Sequence, residues 1–240
     1  MAERVRIQKA IANAGLMSRR SAEEAIAANR IRLNGREVRL GDRVNVDDDL
    51  LTIDGFPLPV NPDLETHLLF KPIGAISSSS DTHGRKTVVE LVPSQARLYP
   101  VGRLDADSEG LILVSNDGEL TNRVTHPRYG ITKTYVALVQ GVPTLETLRR
   151  LTGGIELDDG LAKAHKARIL EEQPDRALVQ LVMMEGRNRE VRRMLSHVGH
   201  EVTSLVRTAI GPIADRTLKA GESRRLSPEE IRQLLASGVP

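Results

Sequence analysis

Residues 102–120 read GRLDADSEGLILVSNDGEL, a cluster of carboxylates running into the apolar segment Leu111 to Val114. Asp105, Asp107, Glu109 and Gly110 stand at the first, third, fifth and sixth places of a calcium-loop pattern. The twelfth place, where such a loop needs a bidentate glutamate, holds Asn116, and the ninth holds Leu113. LILV is short, apolar and partly β-branched, which predicts a buried strand rather than the exit from a metal loop. The stretch is thus expected to be a turn that sets carboxylates at the rim of a sheet. An aspartate so placed, before a buried strand and beside arginine, is held ionised and aimed, and can act as nucleophile or base with no metal. From the local sequence alone, a turn aspartate bonding its own backbone is the competing reading.

Outward from this stretch the pattern continues. HLLF (67–70), GAISS (74–78), KTYVALVQG (133–141), KAHKARIL (163–170) and ALVQLVMME (177–185) are strand candidates. TLETLRRL (144–151) and EVRRMLSHVG (190–199) are helical, and SPEEIRQLLASG (227–238) opens with Ser227, Pro228 and Glu230 in capping-box order. NDG (116–118) is expected to be a turn after the strand, with Ser108 a hydrogen bonder in the turn before it. Near the N-terminus VRIQKAIANA has helical spacing and stops at Gly15, and a second helix starts at SRRSAEEAIAANR, capped by Ser21 or Ser18. IRLNGREV turns at Asn34-Gly35, a strong hairpin signal, and DRVNVDDDLLTID is expected to supply a further strand pair. Pro57, Pro59 and Pro62 then mark a linker. The expected fold is α+β: a small helix-helix-hairpin domain with its linker in residues 1–60, and a mixed α/β domain in 61–240 built on a large, mostly antiparallel sheet.

Composition narrows the classes of function. The chain has 240 residues and no cysteine, which excludes disulfides, thiolate metal sites and cysteine nucleophiles. His197 and His200 stand three apart on a helix, but nothing like a zinc-binding HExxH surrounds them, so no metal site is expected. No run approaches the roughly 18 apolar residues of a spanning helix, and MAERVRIQKA lacks the apolar core of a signal peptide, so a soluble, cytoplasmic protein is expected; a monomer is expected as well. The net charge is only +2, yet residues 1–43 hold ten Arg/Lys against five Asp/Glu and residues 184–225 hold nine against five. Two separated basic blocks suit a polyanion held at two places. With aromatics at 2%, recognition cannot depend on stacking many splayed bases. In the first block Lys9, Arg19, Arg20 and Arg30 are the candidate phosphate contacts; in the second, Arg187, Arg189, Arg192 and Arg193 crowd the start of a helix, where the dipole favours carboxylates, so an anion is expected to neutralise them.

GRLDADSEGLILVSNDGEL, KTYVALVQG, EGRNREVRRML and VTSLVRTAIGP, with FKPIGAISSSSDTHGRKTVVELVP upstream, occur in an order that resembles the RsuA/RluB family of ribosomal RNA pseudouridine synthases. The first 55 residues resemble the αL-type RNA-binding domain shared with a small-subunit ribosomal protein and tyrosyl-tRNA synthetases. SRRSAEEAIAANRIRLNG and NDGELTNRVTHPR look more like the large-subunit branch. Phe70, where relatives often have Asn, and a weak closing strand at PIADRTLKAG depart from the pattern without touching its catalytic motifs.

The resemblance implies that Asp105 is the catalytic carboxylate, that Tyr135 packs on the target uracil, that Arg192 pairs with Asp105, and that Leu205 lines the pocket together with Arg103. Lys71, Lys133 and Arg207, in the same motifs, are expected to join Arg187, Arg189 and Arg193 in meeting RNA. It further implies isomerisation of uridine with no cofactor, on ribosomal RNA or a ribosomal precursor particle, away from any membrane. Three alternatives stand beside it: a small-subunit target, a non-catalytic assembly factor of the same fold, and a metal-dependent sugar transferase using Asp105 and Asp107 of DAD.

Overall fold

The computed structural model describes residues 4–14, 16–46, 49–57 and 64–238. Gly15, Pro59 and Pro62 lie outside the described residues. Contacts divide the chain into two compact units, residues 1–66 with 94–98 and 115–119, and the remainder.

The first unit runs β1 (Val5–Arg6), α1 (Ile7–Asn13), α2 (Arg19–Ala27), β2 (Ile31–Leu33), β3 (Arg36–Glu37), β4 (Arg43–Val44), β5 (Leu51–Ile53) and β6 (Phe56–Pro57). Ser18 caps α2 by accepting the Ser21 amide at 3.0 Å. Asn34 and Gly35 take positive φ angles of 51° and 79°, which matches the twist of the β2–β3 hairpin. Ile7, Ile11, Ile26, Ile31, Val44 and Leu51 form a closed core. The strand pair expected within DRVNVDDDLLTID does not form: β4 pairs with β1, and β5 pairs with β2. Asn34 explains the switch, because its amide donates to Asp49 and accepts from the Leu50 amide, tying the chain ahead of β5 to the hairpin turn. Pro57 belongs to a strand, contrary to the linker reading, and β6 is an edge strand, where a missing donor costs little.

The second unit carries β7 (Thr66–Lys71), β8 (Tyr99–Val101), β9 (Glu109–Ser115), α3 (Gly118–Thr125), β10 (Lys133–Gln140), α4 (Leu145–Gly153), β11 (Ile155–Leu157), β12 (Gly160–Ala162), β13 (Lys166–Gln173), β14 (Arg176–Met183), α5 (Glu190–His197), β15 (Val202–Ile210), β16 (Ser223–Arg225) and α6 (Pro228–Ala236). Eight of these strands make one mixed sheet in the order β13-β14-β10-β15-β9-β7-β16, with β8 on β9. Its long pairs are antiparallel, and β15 meets β9 in parallel. β9 is buried along nearly its whole length, as LILV predicted, and Leu111 and Leu113 pack with Leu120, Val124, Ile131, Ile210 and Leu234. Ser227 and Glu230 complete the predicted capping box of α6. GAISS is not a strand: its one ladder contact is a bridge from Ile76 to Thr87, and the Ser77 hydroxyl bonds the backbone of Leu104 instead. NDG is more than a turn, since the Asp117 carboxylate accepts the Glu119 amide at 2.9 Å as α3 begins. No helix among the described residues is long and apolar enough to cross a membrane.

Candidate active site

The site is built on the turn ahead of β9. The Asp105 backbone carbonyl accepts the Ser108 amide at 3.1 Å and so closes the turn, and three neighbours pin it residue by residue. The Ser77 hydroxyl donates to the Leu104 carbonyl at 2.8 Å and accepts the Leu104 amide at 2.9 Å. The Gly74 amide donates to the Ala106 carbonyl at 2.7 Å, and the Lys71 ammonium donates to the Ser108 carbonyl at 2.7 Å. A carboxylate on a turn so tightly bonded cannot drift, which is what a reacting group requires.

Asp105 is half-buried and lines a cleft of about 190 Å³. Tyr135 of β10, Leu205 of β15 and Met183 of β14 line the same cleft, with Arg103 beside Asp105 and residues 185–191 closing it. Tyr135 is 8% exposed and Leu205 6%, so both present faces to the cleft from an otherwise packed sheet. The Asp105 carboxylate takes no hydrogen bond and no ion pair among the described residues. Asp107, two residues on, does the opposite: Arg189 Nη1 donates to it at 2.9 Å and Arg192 Nε lies 3.6 Å away. Burial raises the Asp107 carboxyl, but the two arginines outweigh it and hold it below the usual carboxylate value. One of the two aspartates is thus spent on the protein and the other faces open space.

An RNA pseudouridylate synthase family model matches residues 65–197, and an S4 domain model matches residues 5–50. The chain belongs to the RNA pseudouridylate synthase family. It is of the RsuA/RluB type, with an N-terminal S4 domain. Ribosomal large subunit pseudouridine synthase B of Bacillus subtilis (strain 168) is 43% identical over 236 residues, 96% of each chain. The protein of that name from Vibrio cholerae is 35% identical over 236 residues, which is 95% of this chain and 74% of the relative. A crystal structure of pseudouridylate synthase superposes with a TM-score of 0.67 at 29% identity, covering 96% of this chain and 99% of the other.

In this synthase the structure brings Asp105, Tyr135, Leu205 and Arg103 to one cleft. It does not bring Arg192 to Asp105: the Arg192 guanidinium bonds the carbonyls of Val202 and Asp107 and lies against the Asp107 carboxylate. The reason is the turn, whose corner at Asp107 meets α5 while its first residue, Asp105, faces the cleft. Three expected RNA contacts are corrected as well. Lys71 is fully buried, with Nζ on the carbonyls of Ser108 and Pro72. Lys133 is 9% exposed, with Nζ on the carbonyls of Val124 and Ile131. Arg207, 4% exposed, donates to the carbonyls of Leu111 and Arg103. Each lies inside the sheet, where carbonyls rather than phosphates meet it. Burial, followed for Lys133 by the Arg207 charge, pushes both lysines down to about 8, the Asp105 and Asp107 charges partly restoring Lys71.

The α5 arginines do find carboxylates, but this chain's own. Arg193 makes a two-pronged pair with Asp159 at 2.9 and 2.8 Å, and Arg187 bonds Asp159, Gly160, Leu161 and the buried Glu190. Glu190, the first residue of α5, supplies the negative charge that the helix dipole favours there. Arg189 sits before it at φ 48°, and among the described residues the other positive-φ residues other than glycine are Asn or Asp, which tolerate that region far better. In the S4 domain Arg19 and Arg20 are exposed and Lys9 half-buried, none ion-paired among the described residues, whereas Arg30 is paired with Asp54. Ser77 and Met183 were not legible as site residues. Neither carries a signal in the sequence: the β10–β14 register, which sets Met183 opposite Lys133, brings in the one, and bonds to Leu104 bring in the other.

Proposed function

We propose that this synthase converts uridine to pseudouridine in large-subunit ribosomal RNA, with Asp105 as the catalytic carboxylate and Tyr135 and Leu205 as walls for the uracil. The observation that carries this reading is the Asp105 carboxylate on a pinned turn, unpaired among the described residues and facing a cleft of about 190 Å³ lined by Tyr135 and Leu205. Pseudouridine formation breaks the bond from ribose to uracil N1, turns the base and rejoins it through C5. Atoms and electrons balance within the nucleoside, so the chain's residues need only hold the base, exclude water and supply one nucleophile or base. The uridine has first to leave its stack, at a cost of a few kcal/mol that is smaller in a loop or bulge. Tyr135 offsets part of that cost by giving the extruded base an aromatic contact. The large-subunit target rests on the relatives named ribosomal large subunit pseudouridine synthase B.

The test is modification of unmodified large- and small-subunit ribosomal RNA, mapped by carbodiimide treatment and primer extension. Wild type is expected to modify a uridine in the large-subunit RNA, equally well with EDTA present. Asp105→Asn is expected to bind the same RNA and to lose on the order of 10³-fold or more in rate. If neither protein modifies any RNA while both bind, the chain is an assembly factor. Loss of activity in EDTA would instead revive the metal-dependent reading of DAD.

A further inference from the structure

Arg207 is a buried ionic group to which the reaction above gives no task. It sits on β15 with its backbone in register with Gly110 of β9 on one side and Tyr135 of β10 on the other. Its Nε donates to the Leu111 carbonyl at 2.6 Å and its Nη1 to the Arg103 carbonyl at 3.3 Å. Those two carbonyls bracket the loop that carries Asp105, one before the turn and one after it. The same Nη1 lies 3.5 Å from the Tyr135 hydroxyl, and the guanidinium carbon is 6.0 Å from the centre of the Tyr135 ring. A single planar cation therefore touches both ends of the Asp105 loop and the aromatic wall of the cleft.

Volume alone does not account for an arginine here. The side chain is 4% exposed, pairs with no carboxylate among the described residues, and leaves Nη2 with no hydrogen-bond partner. Burying a charge on those terms is costly, and an apolar side chain of similar size would fill the place without that cost. What the guanidinium offers is geometry: rigid donors that reach three groups on three elements at once. Those contacts tie the loop that carries Asp105 to Tyr135.

We propose that Arg207 is a positioning residue that fixes the Asp105 carboxylate and the Tyr135 ring at the separation that the bound uracil requires. Because it is sealed from the cleft, it sets the rate of the chemical step and contributes nothing to RNA affinity. This rests on the reading that Asp105 and Tyr135 act on the base.

The test is a double-mutant cycle on single-turnover rates, with RNA affinity and thermal melting measured alongside. Arg207→Lys keeps the charge but cannot span the three acceptors, and is expected to slow the chemical step about 10- to 100-fold with RNA affinity within twofold of wild type. In the Tyr135→Phe background the same substitution is expected to cost threefold or less, since residues that act as a unit are not additive. Effects that multiply in full, or an Arg207→Lys protein with the wild-type rate, overturn the proposal. So does failure of both Arg207→Lys and Arg207→Gln to fold, which would assign the residue to the core alone. Full activity in Asp105→Asn is a different result, and removes the reading of the site on which the proposal stands.

Discussion

Asp105 and Asp107 show how two identical side chains two residues apart acquire opposite roles. The corner of the turn points Asp107 at α5, where Arg189 and Arg192 neutralise it, and the first place of the turn leaves Asp105 facing the cleft. Lys71 bonds the turn that carries them and Lys133 opens β10, and the ammonium groups of both are satisfied by backbone carbonyls. Both are held near 8 by burial, against an ordinary value of 10.5, and this has a measurable consequence. Between those two pH values the unfolded chain binds more protons than the folded one, so stability increases as pH rises. Below about 8 both states are protonated and the whole penalty is present, while above about 10.5 neither is and the penalty is gone. At about 1.4 kcal/mol per unit, the relief is roughly 3 kcal/mol for each lysine across the window. Urea midpoints at pH 7.5 and 9.5 should therefore rise for wild type, and rise by about half as much for Lys133→Met, even though that variant is less stable at both values for want of a donor to Val124 and Ile131. Equal rises in the two proteins would show that Lys133 does not titrate in the window.

At the level of elements, the site depends on one close approach. β9 and β15 are parallel and meet at Gly110 and Arg207, and a Cβ on Gly110 would stand 2.3 Å from the Arg207 carbonyl oxygen and 2.6 Å from its nitrogen. Gly110 also has φ 110°, outside the range of an L side chain. Gly110→Ala is thus expected to part the two strands, costing on the order of 3 kcal/mol or more, visible as a lowered urea midpoint, and to displace Arg207 from the Asp105 loop. The turn, the buried strand after it and the alternation of KTYVALVQ were open to view in the sequence, because local chemistry dictates them. The burial of the cations was not, because it belongs to the sheet. Lys133 and Tyr135 share one face of β10, and Leu205 and Arg207 share one face of β15, so a pocket that takes Tyr135 and Leu205 takes their partners inward as well. Period-two reasoning carried one step further would have withdrawn both cations from the RNA surface. Partner choice was hidden for a different reason: nothing in EVRRML says whether Arg192 meets Asp105 or Asp107, since that follows from which corner of a distant turn packs on α5.

Across the whole molecule the balance of +2 conceals a basic helix largely paid off by its own chain. Asp107 occupies Arg189 and Arg192, and Asp159, at the turn between β11 and β12, occupies Arg193 with both oxygens and Arg187 with one. Asp159 is held below the ordinary carboxylate value, chiefly by the Arg193 hydrogen bonds. Such internal pairing limits how many phosphates the α5 face can neutralise, and phosphate neutralisation sets both affinity and its dependence on salt. Asp159→Asn keeps the size of the side chain and removes the competing charge. Arg193 then keeps its Nε bond to the Asn188 carbonyl and has both Nη groups free to meet RNA, while Arg187 stays fixed by Gly160, Leu161 and Glu190. Binding should tighten at low salt for target and unrelated RNA alike, with the slope of log affinity against log salt steeper by about one. The rate of the chemical step at saturating RNA should stay unchanged, because neither Asp159 nor Arg193 lines the cleft. Filter binding from low to moderate salt decides it: an unchanged slope would mean that Arg193 faces no phosphate even when released, and that the basic block at 184–225 serves the fold rather than the RNA.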